Sequence, residues 1–246
     1  MNEQRLAVVA GLLSDIGDAV CERLVHSGHR VVPVWTGEAA AIESWRQLHK
    51  RNGFDFPVQR VDLRDGAACS AAILNIVRDA GRLDILVHTG ASAGVQRLPD
   101  MTRNDWRSVL ETDLDSAFNL SRAVLPGMLE SKWGRIVLVA PPEQTNGSIG
   151  RVDVASAVAA VQGFARALAL EVAGKGVTVN AVSPGLLRSS ACVPASQASR
   201  DMTDTIPVGR LGEPGEVAGL VAYLCSEDAA FLTGANIPIN GGQYLY

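Results

Sequence analysis

Residues 134–140, Gly-Arg-Ile-Val-Leu-Val-Ala, form a short apolar run behind a glycine. Such a run reads as a strand of a parallel sheet buried on both faces, where apolar–polar alternation is lost because neither face meets water. Pro141 and Pro142 stop it, since proline lacks the N–H that a central strand must donate. A loop over 142–150 follows, with Asn146-Gly147 as a turn signal. Residues 151–172 are rich in Ala, Leu and Val and almost uncharged, which predicts a long helix buried on most faces. A buried strand leading into such a helix restricts the chain to a sheet with helices packed on it.

The rest of the chain repeats the alternation. Strands are predicted over 6–10, 30–35, 58–63, 83–91, 176–185 and 235–242. Helices are predicted up to about residue 28 and over 39–51, 104–132 and 216–226. This order defines the α/β class. The 246 residues, 47% hydrophobic, suffice for one sizeable core, so one domain over 1–246 is expected. The charged fraction of 20% excludes a disordered chain. A net charge of -4 lacks the basic footprint of a nucleic-acid binder. Cys21, Cys69, Cys192 and Cys225 show no pair spacing, so neither disulfides nor a metal site is expected. Residues 1–5 do not fit a secretory leader, and no stretch reads as long and uncharged enough to span a membrane. A cytoplasmic location is the expectation.

Several short segments point further. Gly-Leu-Leu-Ser-Asp-Ile-Gly over 11–17 follows the first strand, and Asp62-Leu63 ends the third. His88-Thr89-Gly90-Ala91 ends the fourth, Ser183-Pro184-Gly185 the sixth, and Ala-Asn-Ile-Pro-Ile-Asn-Gly-Gly fills 235–242. Together they resemble a short-chain dehydrogenase/reductase over nearly the whole chain, most specifically toward its C-terminal end. The resemblance implies a Rossmann-like, doubly wound parallel sheet of about seven strands with helices on both faces. It also implies a glycine turn that lays a cofactor pyrophosphate on a helix N-terminus.

In that family the reacting groups are an Asn on the fourth long helix, a Ser after the fifth strand and a Tyr-x-x-x-Lys on the following helix. These positions fall on Asp113, Pro141, Val154 and Val158. The tyrosines are Tyr223, Tyr244 and Tyr246 and the lysines Lys50, Lys132 and Lys175, so no Tyr-x-x-x-Lys exists in any register. The family's proton transfer needs a phenol with an ammonium beside it. No catalytic residue is therefore expected, unless His88 and Asp113 act as substitutes. A hydrogen-bonded structural role for His88 is the stronger reading.

The cofactor positions that remain are Gly11, Gly17, Asp62, Leu63, Gly90, Pro184 and Gly185, with Leu187 and Ser189 where the family meets the nicotinamide amide. The middle glycine of the turn is Asp15. A carboxylate ~4 Å from a phosphate charge is repelled by about 1 kcal/mol in water and about 4 at an effective dielectric of 20. Asp15 also reads as an ordinary first-turn acid favoured by the helix dipole. Trp35-Thr36-Gly37 offers neither an acid for the ribose hydroxyls nor a base for a 2′-phosphate. No cofactor is therefore expected on this chain, and NAD(P) only on a partner.

Taken with these departures, the resemblance implies a non-catalytic subunit that assembles with a catalytically intact relative, as a tetramer. It is similar in this to the degenerate subunit of 2-(α-hydroxybenzyl)succinyl-CoA dehydrogenase, and a hydroxyacyl or oxoacyl thioester would be the partner's substrate. The alternatives are an active NAD(P)-dependent oxidoreductase with substitute residues, and a sensor or structural homo-oligomer. Residues 151–172 are expected at an interface. Residues 243–246 are expected either to cover a neighbouring subunit or to pack on their own domain.

Overall fold

The computed structural model describes residues 4–11, 14–90, 95–140, 149–188 and 204–245. Its strands are β1 (Leu6–Ala10), β2 (Arg30–Trp35), β3 (Gln59–Arg60), β4 (Ile85–Thr89), β5 (Gly134–Val139), β6 (Val177–Pro184) and β7 (Asn236–Ile239). They form one parallel sheet in the order β3-β2-β1-β4-β5-β6-β7. The winding reverses between β1 and β4, which opens a crevice at their C-terminal ends.

The helices are α1 (Asp15–His26), α2 (Ala39–Arg51), α3 (Gly66–Ala80), α4 (Arg103–Leu110), α5 (Ser116–Ser131), α6 (Val152–Val172) and α7 (Pro214–Leu224). Along β1, Leu6, Val8 and Ala10 enter a core shared with α3, α5 and α6. Ala7 and Val9 enter the opposite core, shared with α1, α7 and Trp45 of α2. The period of two sends alternate residues to opposite faces, and both faces are covered. That double cover explains the unbroken apolar strands.

Three expected elements differ. β3 keeps only two residues, because the Asp62 carboxylate accepts the Arg64 N–H at 3.1 Å and turns the chain off the sheet edge. Asp65 then caps α3 by accepting the N–H groups of Ala67 and Ala68. The helix expected over 104–132 is interrupted by a π-helical turn, Glu111–Asp115, between α4 and α5. A π-bulge re-aims the side chains around it, and such bulges occur often at functional sites.

α6 is buried on one stripe rather than on most faces. Val154, Ala157, Val158, Val161, Ala165, Leu168 and Val172 face inward, while Leu170 is 87% exposed. Contrary to expectation, one stretch, residues 152–175, is long and apolar enough to cross a bilayer by length and composition. Here it packs against β6, α4 and the π-helical turn. Gln243 and Tyr244 fold back on their own chain. The Gln243 side chain accepts the Leu186 N–H at 3.1 Å, and Asn240 Nδ2 donates to the Tyr244 carbonyl at 2.9 Å. Tyr246 lies outside the described residues.

Candidate functional site

The crevice begins at the turn between β1 and α1. Gly11 has φ +102°, a conformation that L side chains rarely adopt. A Cβ on Gly17 would stand 2.2 Å from the Gly11 carbonyl oxygen, so only glycine lets helix and turn meet this closely. Ser14 caps α1, accepting the Gly17 N–H at 3.0 Å and donating to the Gly11 carbonyl at 2.7 Å. Thr89, at the end of β4, donates to the carbonyls of Ala10 and Gly11. Thr89 thus braces the turn. Asp15 is the first residue of α1, where its charge favours the helix and opposes a phosphate.

Beside the turn lies a cleft of about 300 Å³, bounded by Gly11, Trp35, Leu63, Arg64, Thr89 and Ser116 among others. Thr36 ties its outer wall, donating to the Val61 carbonyl at 2.7 Å and accepting the Leu63 N–H at 3.0 Å. Arg64 lays its guanidinium on Asp62 through two bonds of 2.9 Å, which holds the Asp62 carboxyl below the usual carboxylate range. Asn119 of α5 donates to the carbonyls of Leu63 and Arg64 and fixes this corner. Arg64 was not foreseen as a site residue. It lines the cleft from the β3–α3 connection rather than from the end of β2.

His88 is buried, with Nε2 2.7 Å from Ser116 Oγ. Ser116 donates its one hydroxyl proton to the Thr112 carbonyl, so Nε2 of His88 must carry the hydrogen and donate. Burial lowers the His88 pKa to about 4, which keeps the ring neutral near pH 7. The structural role expected of His88 is the one this geometry supports.

Of the residues expected at the family's reacting positions, Asp113 sits buried in the π-helical turn. Val154 and Val158, 1% and 3% exposed, pack with Ala140 and Val109 as a small separate apolar cluster beyond the end of β5. Pro141 lies outside the described residues, as does Ser189. Gly90 donates its N–H to the Val139 carbonyl at 2.8 Å and joins the ends of β4 and β5. Pro184 closes β6. A Cβ on Gly185 would meet Asn240 Cα at 2.7 Å, so this turn also requires glycine.

A doubly wound parallel sheet with a glycine turn and a helix N-terminus at its switch point defines a dinucleotide-binding fold. The chain belongs to the short-chain dehydrogenase/reductase family: residues 11–243 match the family described as Enoyl-(Acyl carrier protein) reductase. It is similar to an acetoacetyl-CoA reductase of Cupriavidus necator, 38% identical over 246 residues, covering 98% of this chain and 99% of the relative. Nodulation protein G of Azospirillum brasilense is 35% identical, over 97% of this chain and 98% of the relative. The 3-oxoacyl-[acyl-carrier-protein] reductase of Vibrio cholerae is 35% identical, over 99% and 98%.

These relatives overturn the expectation that this chain carries no cofactor. A reductase must bind a source of hydride, and the matches to named reductases run the length of the chain. The structure supplies the physical reason. Asp15 changes the charge at the turn, while Gly11, Ser14, Gly17 and Thr89 still hold its described ends together. The residues around the cleft fit the adenosine half of a dinucleotide, and binding by this chain is the corrected expectation.

Proposed function

We propose that this chain binds a nicotinamide dinucleotide and serves as a supporting subunit in the reduction of an oxoacyl thioester. A catalytically intact relative in the same oligomer, a tetramer, would supply the proton-transfer groups. One observation carries the reading: Gly11 and Gly17 keep their close approach at the turn, while Val154, Val158 and Ala140 form an apolar cluster where the reacting groups are expected. Reducing a ketone places a hydride on carbon and a proton on oxygen. When bound, the cofactor supplies the hydride. Val154 and Val158 have no proton to give, and the Nε2 proton of His88 is held by Ser116. Gly11 and Gly17 bring backbone to the pyrophosphate, and Arg64 and Thr36 shape the adenosine side.

A second reading is an oxidoreductase active through other groups, and the reductase names of the relatives favour it. One experiment separates the two. The purified chain is assayed on acetoacetyl-CoA with NADH and with NADPH, alone and reconstituted with an intact relative that co-purifies with it. The first reading expects nucleotide binding without turnover by the chain alone, and altered kinetics of the relative in the complex. Turnover by the isolated chain would establish the second.

A further inference from the structure

Trp35 ends β2, the strand whose tip carries the ribose partner in dinucleotide-binding folds. A carboxylate or a base there would read hydroxyls or a phosphate. An indole offers a flat apolar face and a single N–H donor. Its neighbours hold it in place. The Trp35 carbonyl accepts the Val61 N–H at 2.9 Å, which joins the tip of β2 to the chain leaving β3. Thr36 is tied to Val61 and Leu63, and the Trp35 side chain packs on the core shared with α1 and α7. At Gly37 a Cβ would lie 2.4 Å from Cζ2 of the indole, 2.7 Å from Cη2 and 2.9 Å from Cε2. The benzo ring therefore occupies the space of the missing side chain, and glycine is what lets it lie there. The same residue lines the cleft of about 300 Å³ together with Leu63 and Arg64. An aromatic ring seated on a cleft wall is a surface on which a nucleobase can stack, since every base has a π-face.

We propose that the indole of Trp35 is the platform on which the base of the bound nucleotide stacks. This rests on the reading that the crevice binds the dinucleotide, and deepens it: the residue at the tip of β2 holds the base instead of reading the ribose. Purines are then favoured over pyrimidines, because their larger ring covers more of the indole.

The test is titration of the full chain with ADP, UDP and NADH, by calorimetry and by tryptophan fluorescence, in the wild type and in Trp35→Phe, Trp35→Leu and Gly37→Ala. The wild type is expected to bind ADP at least ~5-fold more tightly than UDP. Trp35→Leu keeps apolar bulk without a ring; it should weaken ADP ~10-fold or more and narrow the lead over UDP. Trp35→Phe keeps a ring and should stay within ~3-fold of the wild type. Gly37→Ala retains the indole but pushes it off its seat, and should weaken ADP as Trp35→Leu does. ADP should quench the emission of the wild type, and the quench should vanish in Trp35→Phe, which still carries Trp45, Trp106 and Trp133. A residue that merely supports the fold would move neither the purine preference nor the quench. Equal ADP affinity in the wild type and Trp35→Leu, or a quench that survives Trp35→Phe, would overturn the inference and leave the cofactor reading standing. Tighter ADP binding by Trp35→Leu would also overturn it, because the indole would then be filling the place of the base. Absence of binding by ADP, UDP and NADH in the wild type would overturn both.

Discussion

The Thr89 hydroxyl donates to the Gly11 carbonyl at 3.2 Å and stands where a Gly11 side chain would have to go, 1.9 Å from the position of its Cβ. One contact therefore links the end of β4 to the cofactor turn and fixes the residue type at its partner. Gly11→Ala meets both this clash and a positive φ, so a loss of about 2–4 kcal/mol of stability is expected. Thr89→Ala alone should cost about 1 kcal/mol, the net worth of a hydrogen bond. Because Thr89→Ala also removes the clashing oxygen, the double variant should lose less than the sum. Urea midpoints of the four proteins decide this; strict additivity would mean that the two residues do not share the space.

His88 makes stability depend on pH in a defined window. Its pKa is about 4 in the fold, against an ordinary value of 6.5. The unfolded chain therefore binds a proton that the folded chain refuses between these values. Stability from this residue is intact above pH 6.5 and falls as pH drops toward 4, by roughly 3 kcal/mol across the window. His88→Asn keeps a donor for Ser116 and removes the titration. The wild type should lose its excess over this variant between pH 6.5 and 4, as read from denaturation at each pH. Parallel curves for the two proteins would contradict the assignment.

The sequence made the strand–helix order legible because double burial and glycine turns leave local marks. The apolar β1, β4 and β5 and the 11–17 turn are examples. The absence of a Tyr-x-x-x-Lys pair was equally local, since no tyrosine and lysine stand at that spacing. What could not be read depended on contacts distant in sequence. Thr89 braces the turn because it lies against Gly11, 78 positions away. Arg64 enters the cleft because the Asp62 turn ends β3 early. The cofactor expectation, drawn from Asp15 and from the missing ribose partner near Trp35, was wrong because neither residue shows how closely Gly17 meets Gly11.

Asp84 anchors the opposite end of the sheet. It is fully buried, accepts the Leu6 N–H at 2.9 Å and takes Arg82 Nε at 2.8 Å. Asp84→Ala leaves the Leu6 N–H and the Arg82 guanidinium without this acceptor. The expected loss is about 3–5 kcal/mol, the range for breaking a buried pair. Asp84→Asn retains one acceptor oxygen and should lose less. Equal losses in thermal unfolding would show that shape, not hydrogen bonding, holds this corner.

Placing a lysine at Val158, where the resemblance puts the family's lysine, should be costly. Val158 packs with Ala140, Val154 and Val109. Val158→Lys is expected to destabilise the chain by about 3 kcal/mol at pH 7, with the deficit shrinking as pH rises and the amine loses its charge. Val158→Met, apolar and of similar length, separates bulk from charge. A lysine variant as stable as the methionine variant would mean that the ammonium reaches water.

Asp15 sets affinity and stability against each other. As the first residue of α1, its carboxylate gains from the helix dipole, by about 0.3–1 kcal/mol. The same charge lies at the N-terminus toward which a pyrophosphate is drawn, and there it repels. Asp15→Asn keeps the shape and removes the charge. It should lower stability by a few tenths of a kcal/mol while tightening the binding of ADP or of the dinucleotide about 5-fold, near 1 kcal/mol. The gain should shrink as salt is raised from ~0.01 M to ~0.15 M, where the screening length falls from about 30 to about 8 Å. Opposite signs for stability and affinity, together with this salt dependence, distinguish electrostatic repulsion from a general loosening of the turn. Unchanged affinity in low salt would place the Asp15 carboxylate outside the phosphate site and remove the charge argument altogether.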